Sequence, residues 1–351
     1  MLECNSRAFT IGTLSPPDEQ WLNSAETEYV LFPGLPIIDS HHHLWNRPGF
    51  RYLAGELLAD MKTGHNVVAG VFVECESGYR TQGPPELMPV GETQFVLDQI
   101  DAAKNGAAER NPVASAIVGF ADLTAGTATR EVLEAHQAIG GARFKGVRFQ
   151  SNWDESGAIR RGAPAIRPGM LRERAVQEGL RAVSEMGLTF DSYVFFNQLL
   201  DICEVADRLP NLRIVLNHCG GPLTYGPYAD QKTDHYVIWR RNLEEVALRS
   251  NVFCKIGGLL SRTTAYNYID ADRPARSRDI AEAWKKWIEP CIEAFGAGRC
   301  MFGSNFPVDK MGVSYSSLWN VYKHSILAAS DAERGELFYG TASRIYGLSG
   351  L

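Results

Sequence analysis

The sequence predicts an α/β fold of the closed (β/α)8 type, a TIM barrel, spanning residues 35–351 behind an N-terminal arm at 1–34. Three observations predict it. Eight short runs rich in Val, Ile and Phe alternate with helical patterns of roughly 12–20 residues, as in βαβ units on a parallel sheet. The first run leads into His41-His42-His43-Leu44-Trp45, where a doubly wound nucleotide-binding sheet would carry a Gly-rich turn. The longest irregular segments all follow strands. With right-handed crossovers they gather at one end of a barrel, the end that carries the chemistry in this architecture.

The elements follow in order. Residues 1–34 hold Pro16-Pro17 and Pro33-Gly34 without sustained periodicity, so they read as an arm that packs over the barrel or over a partner subunit. Strands are predicted at 35–39, 66–74, 114–121, 144–149, 188–194, 212–218, 252–257 and 300–305. Helices are predicted at 92–109, 128–139, 171–186, 197–208, 236–249, 279–295 and 315–329. In the first of these helices Phe95, Val96, Gln99 and Ile100 recur at helical spacing. In the sixth, Trp284, Trp287, Ile288, Cys291 and Ile292 form a stripe that reads as packing against the barrel, with a kink expected at Pro290. Rim segments are expected at 75–91, 150–170, 219–235 and 258–278.

Bulk properties exclude several classes. A formal charge of −6 is unlike the basic footprint of a nucleic-acid binder. No apolar run reaches the length of a membrane span. The N-terminus lacks a cationic stretch followed by an apolar one, so no signal peptide is expected. The seven cysteines, Cys4, Cys75, Cys203, Cys219, Cys254, Cys291 and Cys300, are odd in number and form no CxxC pair. They read as free thiols of a cytoplasmic protein. A homodimer is the default assembly.

The chemistry-bearing residues sit at strand ends. In Asp39-Ser40-His41-His42-His43 the alternation of an extended chain puts His41 and His43 on one side and His42 on the other. Paired imidazoles at a strand end can bind a divalent ion or polarise a substrate oxygen. His218 ends the sixth apolar strand, before Cys219-Gly220-Gly221, and is expected in the same layer. Asn305 ends the eighth strand. Its amide donates and accepts hydrogen bonds but cannot take a proton at neutral pH. Asp309 lies four residues on. Charges inside apolar strands are costly unless paired or wetted, which singles out Glu74, Arg148, Asp191 and Lys255. Arg148 and Lys255 would bind a substrate carboxylate or a developing oxyanion, and Asp191 or Glu74 would supply the base. Glu76, Tyr79 and Arg80 are candidate substrate contacts on the rim, and Trp45 and Trp153 are rim aromatics. The sequence contains no GxSxG elbow, Walker loop or HExxH motif.

The stretches IIDSHHHLW (37–45), VFVECESGYR (71–80), FKGVRF (144–149), IVLNHCGGP (214–222), VFCKIGG (252–258) and RCMFGSNFPVD (299–309) together resemble the amidohydrolase superfamily. The resemblance is to its lactonase-type branch, which includes 2-pyrone-4,6-dicarboxylate lactonase, sulfomuconolactonase and L-fuconolactonase-like enzymes. It covers roughly residues 35–348. It implies that His41 and His43 are the HxH of the first strand, that His218 is the strand-six histidine and that Arg148 holds substrate. It also implies an acid at the end of strand eight, where this chain has Asn305. No carboxylated lysine matches on strand four, since Lys145 opens that strand, so a two-metal site is not implied. One divalent ion, zinc or manganese, on His41, His43 and His218 and metal-free catalysis both occur in the branch. The implied reaction is attack of activated water on the carbonyl of a lactone or related ester, expected to be anionic. The alternatives are a decarboxylase of a small aromatic or unsaturated acid on the same barrel and a non-catalytic ligand-binding barrel.

Overall fold

Strand β1 (Ile37–His42) is buried at all six positions, because it runs down the centre of the molecule rather than along an edge. The computed structural model describes residues 14–103, 111–159, 165–229, 232–260 and 271–348. Next come β2 (Trp45–Arg47), β3 (Phe50–Tyr52), β4 (Val67–Val73), β5 (Ala116–Gly119), β6 (Phe144–Gln150), β7 (Thr189–Tyr193), β8 (Arg213–Leu216), β9 (Val252–Ile256) and β10 (Cys300–Phe302). Strands β1 and β4 through β10 form one parallel sheet in chain order, and each predicted strand overlaps one of them. The α-helices are α1 (Glu19–Asn23), α2 (Ala54–Met61), α3 (Val90–Ala102), α4 (Thr129–Gly140), α5 (Arg174–Glu185), α6 (Leu199–Arg208), α7 (Lys232–Ala247), α8 (Ser277–Phe295), α9 (Tyr315–Ser325), α10 (Asp331–Gly335) and α11 (Thr341–Ile345).

The barrel closes beyond the regular end of β10. His41 O accepts from Asn305 N at 2.7 Å, and His43 N donates to Phe306 O at 2.7 Å. His42 and Phe306 form a parallel bridge. Asp39 clamps this seam from outside: it accepts from Ser304 N at 2.8 Å, Ser304 Oγ at 2.6 Å and Tyr315 Oη at 3.0 Å. A register irregularity between Asp39 and His42 lets Asp39 turn outward to α9 while His41 and His43 still face the interior. Lower in the barrel, Ile38, Val71, Val73, Ala116, Val118, Val215 and Met301 pack with Ile345, Tyr346 and Leu348, which follow β10 and cover the floor.

Several expectations are corrected in detail. The first strand continues through His42, and the last ends at Phe302, so Asn305 lies in the turn beyond it. Helix α2 and the β2–β3 hairpin were not predicted. Two turns of helix give little periodicity, although Ala54, Leu57 and Met61 are its buried positions. The hairpin is signalled only by Pro48-Gly49, with Gly49 at φ 73°. Helix α8 does carry its Trp284–Trp287–Ile288–Cys291 stripe inward, with Pro290 inside the helix. Arm residues Trp21 and Leu22 are buried on the same chain, and Lys323 Nζ donates to Leu31 O at 2.6 Å. Cys4 and parts of the predicted rim segments 150–170, 219–235 and 258–278 lie outside the described residues.

Candidate active site

Strand alternation brings the imidazoles together at the barrel mouth. The His41 ring lies 4.9 Å from that of His43 and 4.6 Å from that of His218. His42 points the other way, with its ring 6.2 Å from Phe72 in the layer between sheet and helices. His43 Nδ1 donates to Val73 O at 2.7 Å. A carbonyl can only accept, so the His43 Nε2 lone pair faces His41 Nε2, 3.3 Å away. His218 and Cys219, both at φ 54°, bend the chain sharply after β8. A Cβ on Gly258 would meet His218 Nδ1 at 2.2 Å, so only glycine at 258 leaves room for this ring. Tyr193 stands edge-on to His218 at 5.2 Å.

The charged residues come in two pairs. Arg148 Nε donates to Glu74 Oε1 at 2.7 Å, and another guanidinium nitrogen donates to Glu74 O. Gln150 Nε2 adds a bond to the same carboxylate at 2.9 Å. The remaining terminal nitrogen, Nη1, lies 3.5 Å from His41 Nε2, so one donor of Arg148 faces the histidines. Deeper in the barrel, Lys255 Nζ donates to Asp191 Oδ2 at 2.7 Å, with both side chains fully buried. Tyr346 Oη and Asn217 Nδ2 also donate to Asp191, at 3.0 and 3.2 Å. Burial holds the His41 imidazole well below its ordinary value, helped by Lys255. Burial does the same to His43, helped by Arg148. Both are therefore neutral at pH 7. Burial also pulls the Lys255 ammonium down, opposed by Asp191.

Asn305 at φ 56° donates through Nδ2 to Asp309 Oδ1 at 2.9 Å. Burial pushes Asp309 up to about 7, opposed by the amides of Asn305 and Leu260. His41, His43, His218, Arg148, Glu74 and Asn305 are thus brought to one mouth, with Asp191 and Lys255 beneath them. Tyr79 is half-buried and near enough to Glu92 and Glu74 for their charge to act on it. Arg80 is exposed and bears electrostatically on His136 of α4. Trp45 is buried and stacked at 6.0 Å on His43, whereas Trp153 is half-buried, its amide bonded to Gln198. Sequence reasoning missed Gln150 and Tyr193. Both lie two residues past a singled-out charge, so the same alternation points to them. It also missed Glu92, which accepts from Cys75 N and Ser77 N at 2.9 and 2.8 Å and fixes the rim loop after β4.

A divalent ion fits this donor set poorly. The His41–His43 separation matches two ligands of one ion. Yet among the described residues no group of three or more His, Cys, Asp or Glu side chains is arranged to hold a metal. Position 305 offers a neutral amide, and a guanidinium already stands beside the imidazole pair.

Comparison with known proteins agrees with this architecture. A family profile described as amidohydrolase matches residues 38–348. An uncharacterized protein of Sinorhizobium fredii is 28% identical over 334 residues, covering 89% of this chain and 98% of its own. An L-fucono-1,5-lactonase of Burkholderia multivorans is 27% identical over 332 residues, covering 90% of this chain and 97% of its own. The crystal structure of an amidohydrolase from Burkholderia multivorans with bound zinc superposes with a TM-score of 0.67 at 24% identity, over 89% of this chain and 99% of that one. No helix among the described residues is long and apolar enough to cross a membrane.

Proposed function

The chain belongs to the amidohydrolase family, and from that premise we propose that it is a lactonase acting on an uncharged, sugar-type lactone. The observation that carries this reading is the meeting of Arg148 with the His41–His43–His218 cluster, Arg148 Nη1 standing 3.5 Å from His41 Nε2. Relatives named for L-fucono-1,5-lactone and L-rhamnono-gamma-lactone support the lactone class. The charge pattern supports an uncharged substrate in place of the expected anionic one. Arg148 is neutralised by Glu74 and Lys255 by Asp191, so neither is left to balance a substrate carboxylate. The same pairing disfavours a decarboxylase. Among the described residues six cysteines are free and buried, which suits a reducing cytoplasm.

Water adds to the ring carbonyl. Arg148 Nη1, fixed in place because Glu74 holds the other face of the guanidinium, donates to the carbonyl oxygen as negative charge develops there. His43, neutral and with Nε2 unprotonated, accepts the water proton. Burial makes the resulting imidazolium unstable, so the proton passes readily to the ring oxygen as the acyl C–O bond breaks. The product is the open-chain hydroxy acid. His218 packs against His41 and shapes the oxygen pocket. No step requires a metal. Zinc in the Burkholderia multivorans structure is a property of that protein.

A panel of neutral 1,4- and 1,5-sugar lactones and carboxylated lactones, followed by pH-stat with product identification, tests this reading. Neutral lactones should be opened with at least tenfold higher kcat/KM, unchanged within twofold after chelator treatment. Turnover of carboxylated substrates alone, release of CO2, or loss of activity on chelation with rescue by zinc would overturn it.

A further inference from the structure

Asn305 occupies the position at which the family resemblance implies an acid, and its surroundings are built with more care than a turn-capping amide needs. Its backbone is held in the left-handed region at φ 56°, which asparagine enters more readily than most non-glycine residues. The hydrogen bond from its N–H to His41 O at 2.7 Å ties it to the first-strand histidines. Its side chain is almost fully buried, with Nδ2 on Asp309 Oδ1 at 2.9 Å. Asp309 is completely buried and anchored in turn. Its N–H donates to Asn305 O at 3.2 Å, and its carbonyl accepts from Gly312 N and Val313 N. Among the described residues no donor is bonded to Asn305 Oδ1.

An asparagine amide can present either end to a neighbour, and rotation by half a turn exchanges donor and acceptor. Above the value of about 7 to which burial pushes it, the Asp309 carboxyl is ionised and accepts only. Set against Nδ2, it permits one orientation, because the other would bring two oxygens together and forfeit a charge-assisted bond. We propose that Asp309 is a positioning residue: it locks the Asn305 amide with its nitrogen outward, so that Asn305 Oδ1 faces the histidine cluster as a fixed acceptor for the attacking water. This rests on the lactonase reading above. It also accounts for the absence of an acid at 305, where a second carboxylate in contact with Asp309 would be repelled.

Six variants and one spectroscopic measurement decide it. Asp309→Leu should lower kcat ten- to a hundredfold with KM within threefold of wild type, whereas Asp309→Asn, which still accepts from Nδ2, should stay within fivefold. Asn305→Ala should lose as much as Asp309→Leu, and the double variant no more than twofold further. The exchange variant Asn305→Asp/Asp309→Asn restores a donor–acceptor pair and should recover at least tenfold over Asn305→Asp alone, a result that does not depend on Asp309→Leu folding. Equal losses in Asp309→Leu and Asp309→Asn, or additive losses in the double variant, would overturn the proposal. If the wild type opens no lactone, the functional reading fails, and the positioning is then judged by NMR. The Asn305 side-chain amide should show one slowly exchanging proton in the wild type, and fast exchange of both would overturn the lock.

Discussion

Asp191→Asn separates two roles for the buried carboxylate, that of catalytic base and that of partner to Lys255. The substitution keeps the shape of the residue and its contacts with Tyr346 and Asn217, but leaves Lys255, fully buried, facing a neutral amide. A buried ammonium without a counter-charge escapes by releasing its proton. Against an ordinary lysine value of ~10.4, holding it neutral at pH 7 costs between about 4 and 5 kcal/mol, at about 1.36 kcal/mol per unit. Breaking buried pairs generally costs a similar amount, about 3–5 kcal/mol. For a chain of 351 residues, with an unfolding entropy of ~2.1 cal/mol/K per residue, the midpoint should fall by roughly 6 °C. The sign of the pH dependence is diagnostic. In the variant the folded state binds fewer protons than the unfolded one below the ordinary lysine value, so stability rises with pH. The deficit should shrink to about 2 kcal/mol at pH 9. Adding Lys255→Met should remove most of it. The assay is urea and thermal unfolding at pH 7 and 9, with kcat measured at a temperature where the variant is folded. A midpoint within 1 °C of wild type together with a hundredfold loss of kcat would refute the pairing argument and make Asp191 the base.

Three further outcomes follow from the geometry. Arg148→Lys retains the charge beside Glu74 but lacks the second terminal donor that faces His41, so kcat should fall about 10²-fold with little change in midpoint; full activity would remove Arg148 from the oxygen pocket. Gly258→Ala puts a methyl group 2.2 Å from His218 Nδ1 on a backbone at φ +64°. It should lower kcat at least tenfold and stability by about 1–3 kcal/mol, measured by steady-state kinetics and thermal unfolding. His136 donates from Nε2 to Phe120 O and accepts from Thr93 Oγ1, and burial lowers it to about 4. The unfolded chain therefore takes up a proton first as pH falls below ~6.5, and stability is lost down to about pH 4. His136→Gln should lose about 2 kcal/mol less than wild type between pH 7 and pH 5 in urea titrations.

Much of this was legible in the sequence because it depends on local period. Alternation alone separated His41 and His43 from His42, and apolar runs located every barrel strand. What the sequence did not show is set by closure. Lys255 meets Asp191 from 64 positions away on strands that are not neighbours, and no local pattern carries that register. The outward turn of Asp39 comes from an irregularity in β1 rather than from its composition. Asp309, four residues past Asn305 in the sequence, meets it where Asn305 adopts a positive φ, which no local pattern signals. Arg80 sits in a promising motif, and its N–H donates to Met88 O, beside the loop that Glu92 holds in place.

The junction that completes the barrel also has a meaning for biosynthesis. The two chain segments joined by His41–Asn305 and His43–Phe306 emerge from the ribosome more than two hundred and fifty residues apart, the first well before the second. Until the later one arrives, the early imidazoles have no wall to stand against. Prematurely terminated products should therefore be catalytically silent however well their first strands assemble, and turnover in a cell-free translation reaction would report only finished molecules.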